Sequence, residues 1–387
     1  MSTYTQYAFP PELLQATKAQ RLAYFKAHTS DHAKLKQAAH ELWQAIYYGG
    51  DHQIIHLYGC TSVGKSTLLR RIERAVTRVA RTEMQGDPDL IPISGVIVPP
   101  PIQATFNWRD VYLLTMGALG QPPALVSKLE PKRLQFQPHE SVAPAPKLPR
   151  QELRLNMVAT LKRRRVKVLL YDEAQHFQRV TRAQHLQNQM DNLKWLAEET
   201  GTTIVLIGTY DLLNLVDLSG QLARRSTCIH FSRYHADDEQ EWREFCTTVK
   251  SFQVHLPLPE MPKLVECAEY LYKGTFGCVG LLKDWLSRAL AKALAEEATT
   301  LTEAHLEACV DYTKLVAVVR EAIHGDKRVL KRDNLRAKLD TLLKSASGFP
   351  ILDDETEESP PVPRSKNKPG QRTAKRDPVG PGLREAG

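Results

Sequence analysis

Apolar residues follow two patterns along this chain. In the first, short apolar runs alternate with stretches whose apolar positions recur at three- and four-residue steps. The short runs are "QIIHLY" at 53–58, "IPISGVIVP" at 91–99, "VKVLLYDE" at 166–173, "TTIVLIG" at 202–208 and "CIHFSRY" at 228–234. Each has the length and β-branched content of a buried strand. Pro99, Pro100 and Pro101 end the second run, because proline cannot donate to a ladder. Helical stretches lie between the runs. One carries Leu68, Leu69, Ile72, Ala75 and Val76 on a single stripe. Others are predicted over 108–120, closed by Gly120, over 151–163, and over 181–200, where Leu186, Met190, Leu193 and Leu196 share a face and Gly201 ends the helix. Strands alternating with helices predict an α/β fold with a parallel, doubly wound sheet sandwiched by helices.

The second pattern is helical throughout. Residues 11–49 carry Leu13, Leu14 and Leu22, and then Leu35, Ala38, Ala39, Leu42 and Ile46 after a cap expected at Thr29 or Ser30. Gly49 and Gly50 stop this segment. After residue 256 the strand signals cease, and "LVECAEYLY", "VGLLKDWLSRALAKALAEE" and "EAHLEACVDYTKLVAVVREAI" predict a small all-helical domain. The expected organisation is an N-terminal helical segment at 1–50, an α/β core at 51–255, a small helical domain at 256–344 and a tail at 345–387. Residues 121–150 are proline-rich and read as an exposed insertion. The tail joins an acidic stretch, "DDETEE", to a basic one, "RSKNKPGQRTAKRDPVGPG", and is expected to be disordered alone.

Composition narrows the class. The 387 residues are 42% hydrophobic and 25% charged, an ordinary globular balance. A formal net charge of +8 favours a polyanionic partner. Cys60, Cys228, Cys246, Cys267, Cys278 and Cys309 are scattered without zinc spacing, so they read as free thiols in a reducing compartment. His40-Glu41 begins like a zincin helix, but Gln44 stands where the second histidine is needed. No secretory pattern opens the chain and no apolar run approaches a membrane span, so a cytoplasmic protein with no membrane partner is expected.

Four stretches carry chemistry. "GCTSVGKS", residues 59–66, fits G-x-x-x-x-G-K-S/T between a strand and a helix. Glycines in such a loop let backbone N–H groups face phosphates, Lys65 adds a point charge to the β- and γ-phosphates, and the Ser66 hydroxyl reaches Mg²⁺. The cradle comprises Gly59, Cys60, Thr61, Ser62, Val63, Gly64, Lys65, Ser66 and Thr67. "VKVLLYDEAQHF" ends a strand in Asp172-Glu173. Asp172 suits the metal and Glu173 suits polarisation of the attacking water. "IVLIGTY" delivers Thr209 to the same sheet edge, to orient that water or sense the γ-phosphate. "GQLARRSTCIHF" offers Arg224 and Arg225 as an arginine finger, acting on the γ-phosphate of a neighbouring subunit.

The order of these elements, followed by a helical lid, resembles an AAA+ P-loop ATPase. Within that superfamily the chain is similar to the TnsC/TniB transposition regulators, relatives of MuB and IstB, through "YGCTSVGKSTLLRRI", "LLYDEAQHF", "NLKWLAEETGTTIVLIGTYDLLNL" and "GQLARRSTCIHFSRY". The resemblance implies ATP and Mg²⁺ as cofactors and homo-oligomeric rings or filaments around double-stranded DNA. It also implies recruitment of a DDE-type transposase, linkage to a target-selector protein, and disassembly on ATP hydrolysis in a bacterial, nucleoid-associated setting. In some relatives, those of CRISPR-associated transposons, the selector includes an RNA-guided complex. A sensor-two arginine is usual near the start of a lid helix in the superfamily; here Lys283 stands at that place and Arg288 follows it. Loops after the second strand would face the pore, which points to Gln103, Thr105, Asn107 and Arg109, or to Lys128, Lys132 and Arg133, as DNA contacts. The run "LKRRRVKV" precedes a sheet strand and reads as a solvated or subunit-contact face. Two other readings stand beside this one. One is a helicase loader or initiator-type AAA+ ATPase of replication; the other is a signalling or secretion P-loop NTPase without a DNA role.

Overall fold

A computed structural model of the chain describes residues 7–50, 54–101, 106–120, 149–179, 183–217 and 226–333. The expected tail and all but the last two residues of the proline-rich insertion lie outside these residues. The N-terminal segment is broken rather than continuous. A 3-10 turn, Pro11–Gln15, precedes α1 (Lys18–Ala27) and α2 (Ala33–Tyr48). Thr17 and Gln20 form a capping box for α1. The cap of α2 is His32, not Thr29 or Ser30, and its Nδ1 accepts from Leu35 N at 3.4 Å. Burial pulls the His32 pKa down to about 4, which leaves the ring neutral with an acceptor nitrogen. A tertiary partner, the Tyr234 hydroxyl 3.2 Å away, holds that nitrogen in place.

The five predicted strands form β1 (Ile54–Tyr58), β2 (Ile93–Ile97), β3 (Val168–Asp172), β4 (Thr203–Gly208) and β5 (Ser226–His230). They pair in parallel in the order β2-β3-β4-β1-β5. β5 starts and ends earlier than its apolar run implies. Phe231 N donates to Tyr58 O at 2.8 Å as the last rung. Beyond it β1 turns away at Gly59 and leaves β5 no partner. The remaining helices are α3 (Lys65–Val79), α4 (Arg81–Gly86), α5 (Trp108–Ala118), α6 (Arg150–Arg163), α7 (Ala183–Thr200), α8 (Leu213–Asp217), α9 (Glu239–Gln253), α10 (Ala268–Lys273), α11 (Val279–Ala295), α12 (Glu303–Glu307) and α13 (Tyr312–Asp333).

Two hydrophobic clusters organise the described residues. One joins the sheet to its flanking helices and includes Leu42, Leu57, Leu68, Val111, Met157, Leu170, Leu193 and Leu206. The other joins Phe25, Phe245, Val249, Phe252, Leu282, Trp285 and Leu306. α9 was not predicted, although Asp238 caps it and Phe245, Val249 and Phe252 give it a buried stripe. It precedes residue 256, where the lid was expected to begin, yet packs in the second cluster with α11. Cys278, Leu281, Val318 and Ala322 belong to the first cluster, so α11 and α13 also pack against the sheet side. No helix among the described residues is long and apolar enough to cross a membrane.

Candidate nucleotide site

Parallel register brings the functional stretches to one edge. Tyr58 of β1 pairs with Gly208 of β4, and Tyr171 of β3 pairs with Leu206. The residues after these strand ends, Gly59, Asp172-Glu173 and Thr209, therefore meet at the carboxyl edge of the sheet. That is where open parallel sheets bind ligands.

The phosphate loop turns at Gly64, whose φ of +120° is open to glycine and caps α3. Lys65 and Ser66 start the helix, where amides lack intrahelical partners and the dipole favours an anion. Lys65 Nζ donates to Gly59 O and to Cys60 O, each at 2.9 Å. The loop is clamped from the lid side. A Cβ on Gly280 of α11 would stand 2.2 Å from Ser62 O, so only glycine allows this approach. Glu321 of α13 accepts from Thr61 N at 3.0 Å. Cys60 Sγ lies 3.2 Å from Cys278 Sγ. That contact, together with burial, pushes the Cys278 thiol well up.

Asp172 is buried, and burial raises its pKa against the pull of the Glu173 amide and Lys65. The Glu173 N–H donates to Asp172 Oδ1 at 2.9 Å. Glu173 adopts φ +56°, a conformation that costs a non-glycine residue about 1 kcal/mol. The strained turn is held by Gln175. Its Nε2 donates to Glu173 Oε2 at 2.5 Å, while its Oε1 accepts from Thr209 N at 3.4 Å.

A cavity of about 480 Å³ collects these groups. Thr61, Ser62, Gly64, Lys65, Ser66, Thr67, Asp172, Glu173 and Thr209 line it with Gly280, Asp284 and Lys314. The last two side chains form an ion pair at 3.0 Å. Ammonium and hydroxyl groups on one side and two carboxylates on the other make a donor set that fits a magnesium-bound polyphosphate. Lys314, Asp284, Glu321 and Gln175 were not predicted. Only Gln175 had a sequence signal, its place two residues after Glu173; the lid residues had none.

Lys283 lies elsewhere. It lines an adjoining cavity of about 260 Å³ with His28, His32, Val63, Phe252 and Val279. Its Nζ donates to Phe25 O and lies 3.7 Å from the Phe25 ring centroid. Burial lowers its pKa to about 7. His28 stacks on His255 with centroids 3.6 Å apart, and its buried Nε2 has no hydrogen-bond partner among the described residues. Arg288 faces Asp284 and Asp311, each at 3.8 Å. Gly64, Thr67 and Gly280 line both the Lys283 cavity and the phosphate cavity.

The remaining predicted residues do not gather here. Arg224, Arg225, Gln103, Thr105, Lys128, Lys132 and Arg133 lie outside the described residues. Asn107 caps α5: its Oδ1 accepts from Arg109 N at 3.1 Å and its Nδ2 donates to Asp110 at 3.2 Å. Arg109 sits in the first turn of the same helix.

Residues 49–216 match a family model described as an AAA domain. No curated protein sequence matches the chain. Among solved structures, Drosophila ORC bound to DNA is 16% identical, with a TM-score of 0.46, over 81% of this chain and 70% of that one. A Walker-type ATPase of Pyrococcus abyssi is 14% identical, with a TM-score of 0.44, over 81% of each chain. Domain III of the Thermotoga maritima replication initiation protein DnaA is 14% identical, with a TM-score of 0.39, over 74% of this chain and 96% of that one. Residues 49–216 thus carry an AAA domain, and the parallel five-stranded sheet with its flanking helices is the AAA+ P-loop fold.

Proposed function

We propose that this chain is an ATP-hydrolysing switch that assembles on double-stranded DNA and regulates transposition in the manner of the TnsC/TniB proteins it resembles. One observation carries the nucleotide part: a single cavity is lined by the phosphate loop, Asp172, Glu173 and Thr209 from the sheet edge, and Asp284 and Lys314 from the helical part. Groups from the sheet and from the lid helices share that cavity, so binding there bears on both.

In this reading Lys65 exchanges its bonds to Gly59 O and Cys60 O for the β- and γ-phosphates. Ser66 and Asp172 hold Mg²⁺, which neutralises phosphate charge when bound. Glu173 takes the proton of the attacking water, and Thr209 orients that water. The adjoining cavity, lined by His28, His32 and Lys283, takes the base. Arg224 or Arg225 of a neighbouring subunit stabilises the charge that grows on the γ-phosphate. Duplex DNA, a DDE-type transposase and a target selector, RNA-guided in some relatives, are the proposed partners, in a bacterial cytoplasm near the nucleoid.

Electron microscopy of the protein with a non-hydrolysable ATP analogue and duplex DNA tests the reading. Rings or filaments enclosing the duplex are expected, together with stimulation of strand transfer by the cognate transposase. Stimulation of helicase loading without an effect on strand transfer would instead identify a replication factor. Failure to retain duplex at low salt would remove the DNA role.

A further inference from the structure

Four of the five basic residues of the run singled out in the sequence are paired with carboxylates in the fold. Lys162 pairs with Glu199, Arg164 with Asp89, Arg165 with Asp87 and Lys167 with Glu83. The outer face of α3 is different. Arg70, Arg74 and Arg78 stand at four-residue steps along it, and Arg81 follows at the start of α4. All four are exposed, and none has an ion-pair or hydrogen-bond partner among the described residues. Two cavities of about 510 and 460 Å³ run along this face and share Arg74 and Arg78. Five arginines line them against two carboxylates, Asp31 and Glu73, and Asp31 is bonded to Arg71.

We propose that this groove is a binding surface for the phosphate backbone of duplex nucleic acid, read without regard to sequence. Three observations favour phosphate. Guanidinium forks match phosphate oxygens bidentately. An α-helix rises 1.5 Å per residue, so Arg70, Arg74 and Arg78 form a row about 12 Å long, which runs beside about two to three successive phosphates of one strand. Thr29, Thr67 and Thr77 line the same groove and add hydroxyl donors of the kind that contact phosphate and sugar. The row is mounted on a helix whose inner face is fully packed by Leu68, Leu69, Ile72 and Val76, so its spacing is rigid. Thr67 lines both this groove and the nucleotide cavity, so α3 joins the two sites directly. The inference rests on the duplex-binding part of the proposed function and gives it a place on the molecule.

The test is a salt titration. Duplex affinity of the full chain with an ATP analogue is measured by fluorescence anisotropy for wild type and for the double variant Arg74→Gln, Arg78→Gln. Binding of the ATP analogue is measured beside it. The groove predicts that the slope of log affinity against log salt shrinks by about 0.9 per arginine removed, and that affinity near 0.1 M salt falls by roughly 10-fold for each, with analogue binding unchanged. The charge-keeping pair Arg74→Lys, Arg78→Lys retains most of the slope. An unchanged slope in the glutamine variant, with wild type holding duplex, overturns the groove and leaves duplex binding to another face. A lysine pair as weak as the glutamine pair overturns the electrostatic assignment. Wild type that holds no duplex overturns both the groove and the duplex reading. A peptide of residues 353–358, the acidic stretch of the tail, is the control. If it binds wild type and loses the glutamine variant while duplex does not, the groove serves an acidic peptide and the proposal falls.

Discussion

Glu173 sits at φ +56° because Asp172 Oδ1 takes its amide and Gln175 takes its carboxylate. Strained residues of this kind cluster at functional sites, which supports the role proposed for Glu173. Glu173→Gln should keep ATP-analogue affinity and slow phosphate release by about 100-fold or more, as loss of a general base does. Normal turnover in that variant would remove Glu173 from the chemistry. Gln175 touches both Glu173 and Thr209. Gln175→Ala is expected to lower kcat by about 10-fold with KM little changed, and equal loss in both would mark it as a binding residue. Asp172 carries a different consequence. Burial raises its pKa, so across the window between its ordinary value and its raised one the folded state binds more protons than the unfolded. Stability of the nucleotide-free protein therefore falls as pH rises through that window. Asp172→Asn should raise the melting temperature at neutral pH, by about 1 kcal/mol in stability, and should abolish magnesium-dependent hydrolysis. A melting temperature below wild type would show that Asp172 supports the fold instead.

At the scale of elements, α13 deserves comparison with the strands. The strands are legible because a buried parallel strand is a nearly continuous apolar run, and β1, β3 and β4 are buried at every position. α9 was missed because its stripe of Phe245, Val249 and Phe252 is interrupted by charged and polar residues and it follows directly on a strand signal. α13 is periodic and was predicted, but nothing in its sequence says what it touches. Asp326 on this helix accepts from Arg233 at 2.9 and 3.1 Å and from Tyr210 at 2.9 Å, and lies 3.4 Å from His235. Burial alone would raise Asp326, but these donors, His235 and Arg233 foremost, outweigh it and hold the carboxyl below its ordinary range. A depressed carboxylate stabilises the fold above its unfolded pKa and loses that contribution as pH falls through its folded one. Asp326→Asn should thus cost about 3 kcal/mol at neutral pH, and the gap from wild type should close on acidification through the carboxylate range. Thermal melts of the two proteins across pH decide this, and a gap that persists at acid pH would assign the effect to packing. His235 is shifted upward, chiefly by Asp326, so its own share is complete below its ordinary value and fades as pH rises through the raised one.

At the scale of the whole molecule, the proposed switch makes assembly depend on the loop. Lys65→Ala should abolish ATP-dependent oligomers on duplex DNA, as read by sedimentation, because the loop loses its one ammonium. Oligomers of undiminished size would separate assembly from nucleotide. The meeting of the candidate residues was readable without a structure: G-x-x-x-x-G-K-S, the strand-terminal Asp172-Glu173 and the strand-terminal Thr209 are short-range patterns whose placement follows from chain continuity and from a parallel sheet. What side chains meet across long separations was not readable. Glu321 reaches Thr61, Lys314 enters the phosphate cavity while Lys283 turns to Phe25, and four of the five basic residues at 162–167 find carboxylates while Arg70, Arg74 and Arg78 find none among the described residues. Such outcomes depend on which faces of distant helices are pressed together to bury apolar surface, and charge follows wherever that packing places it. The sequence by itself determined a nucleotide cradle on an α/β sheet; the tertiary structure decided which lid residues close over it and which arginines remain open to a partner.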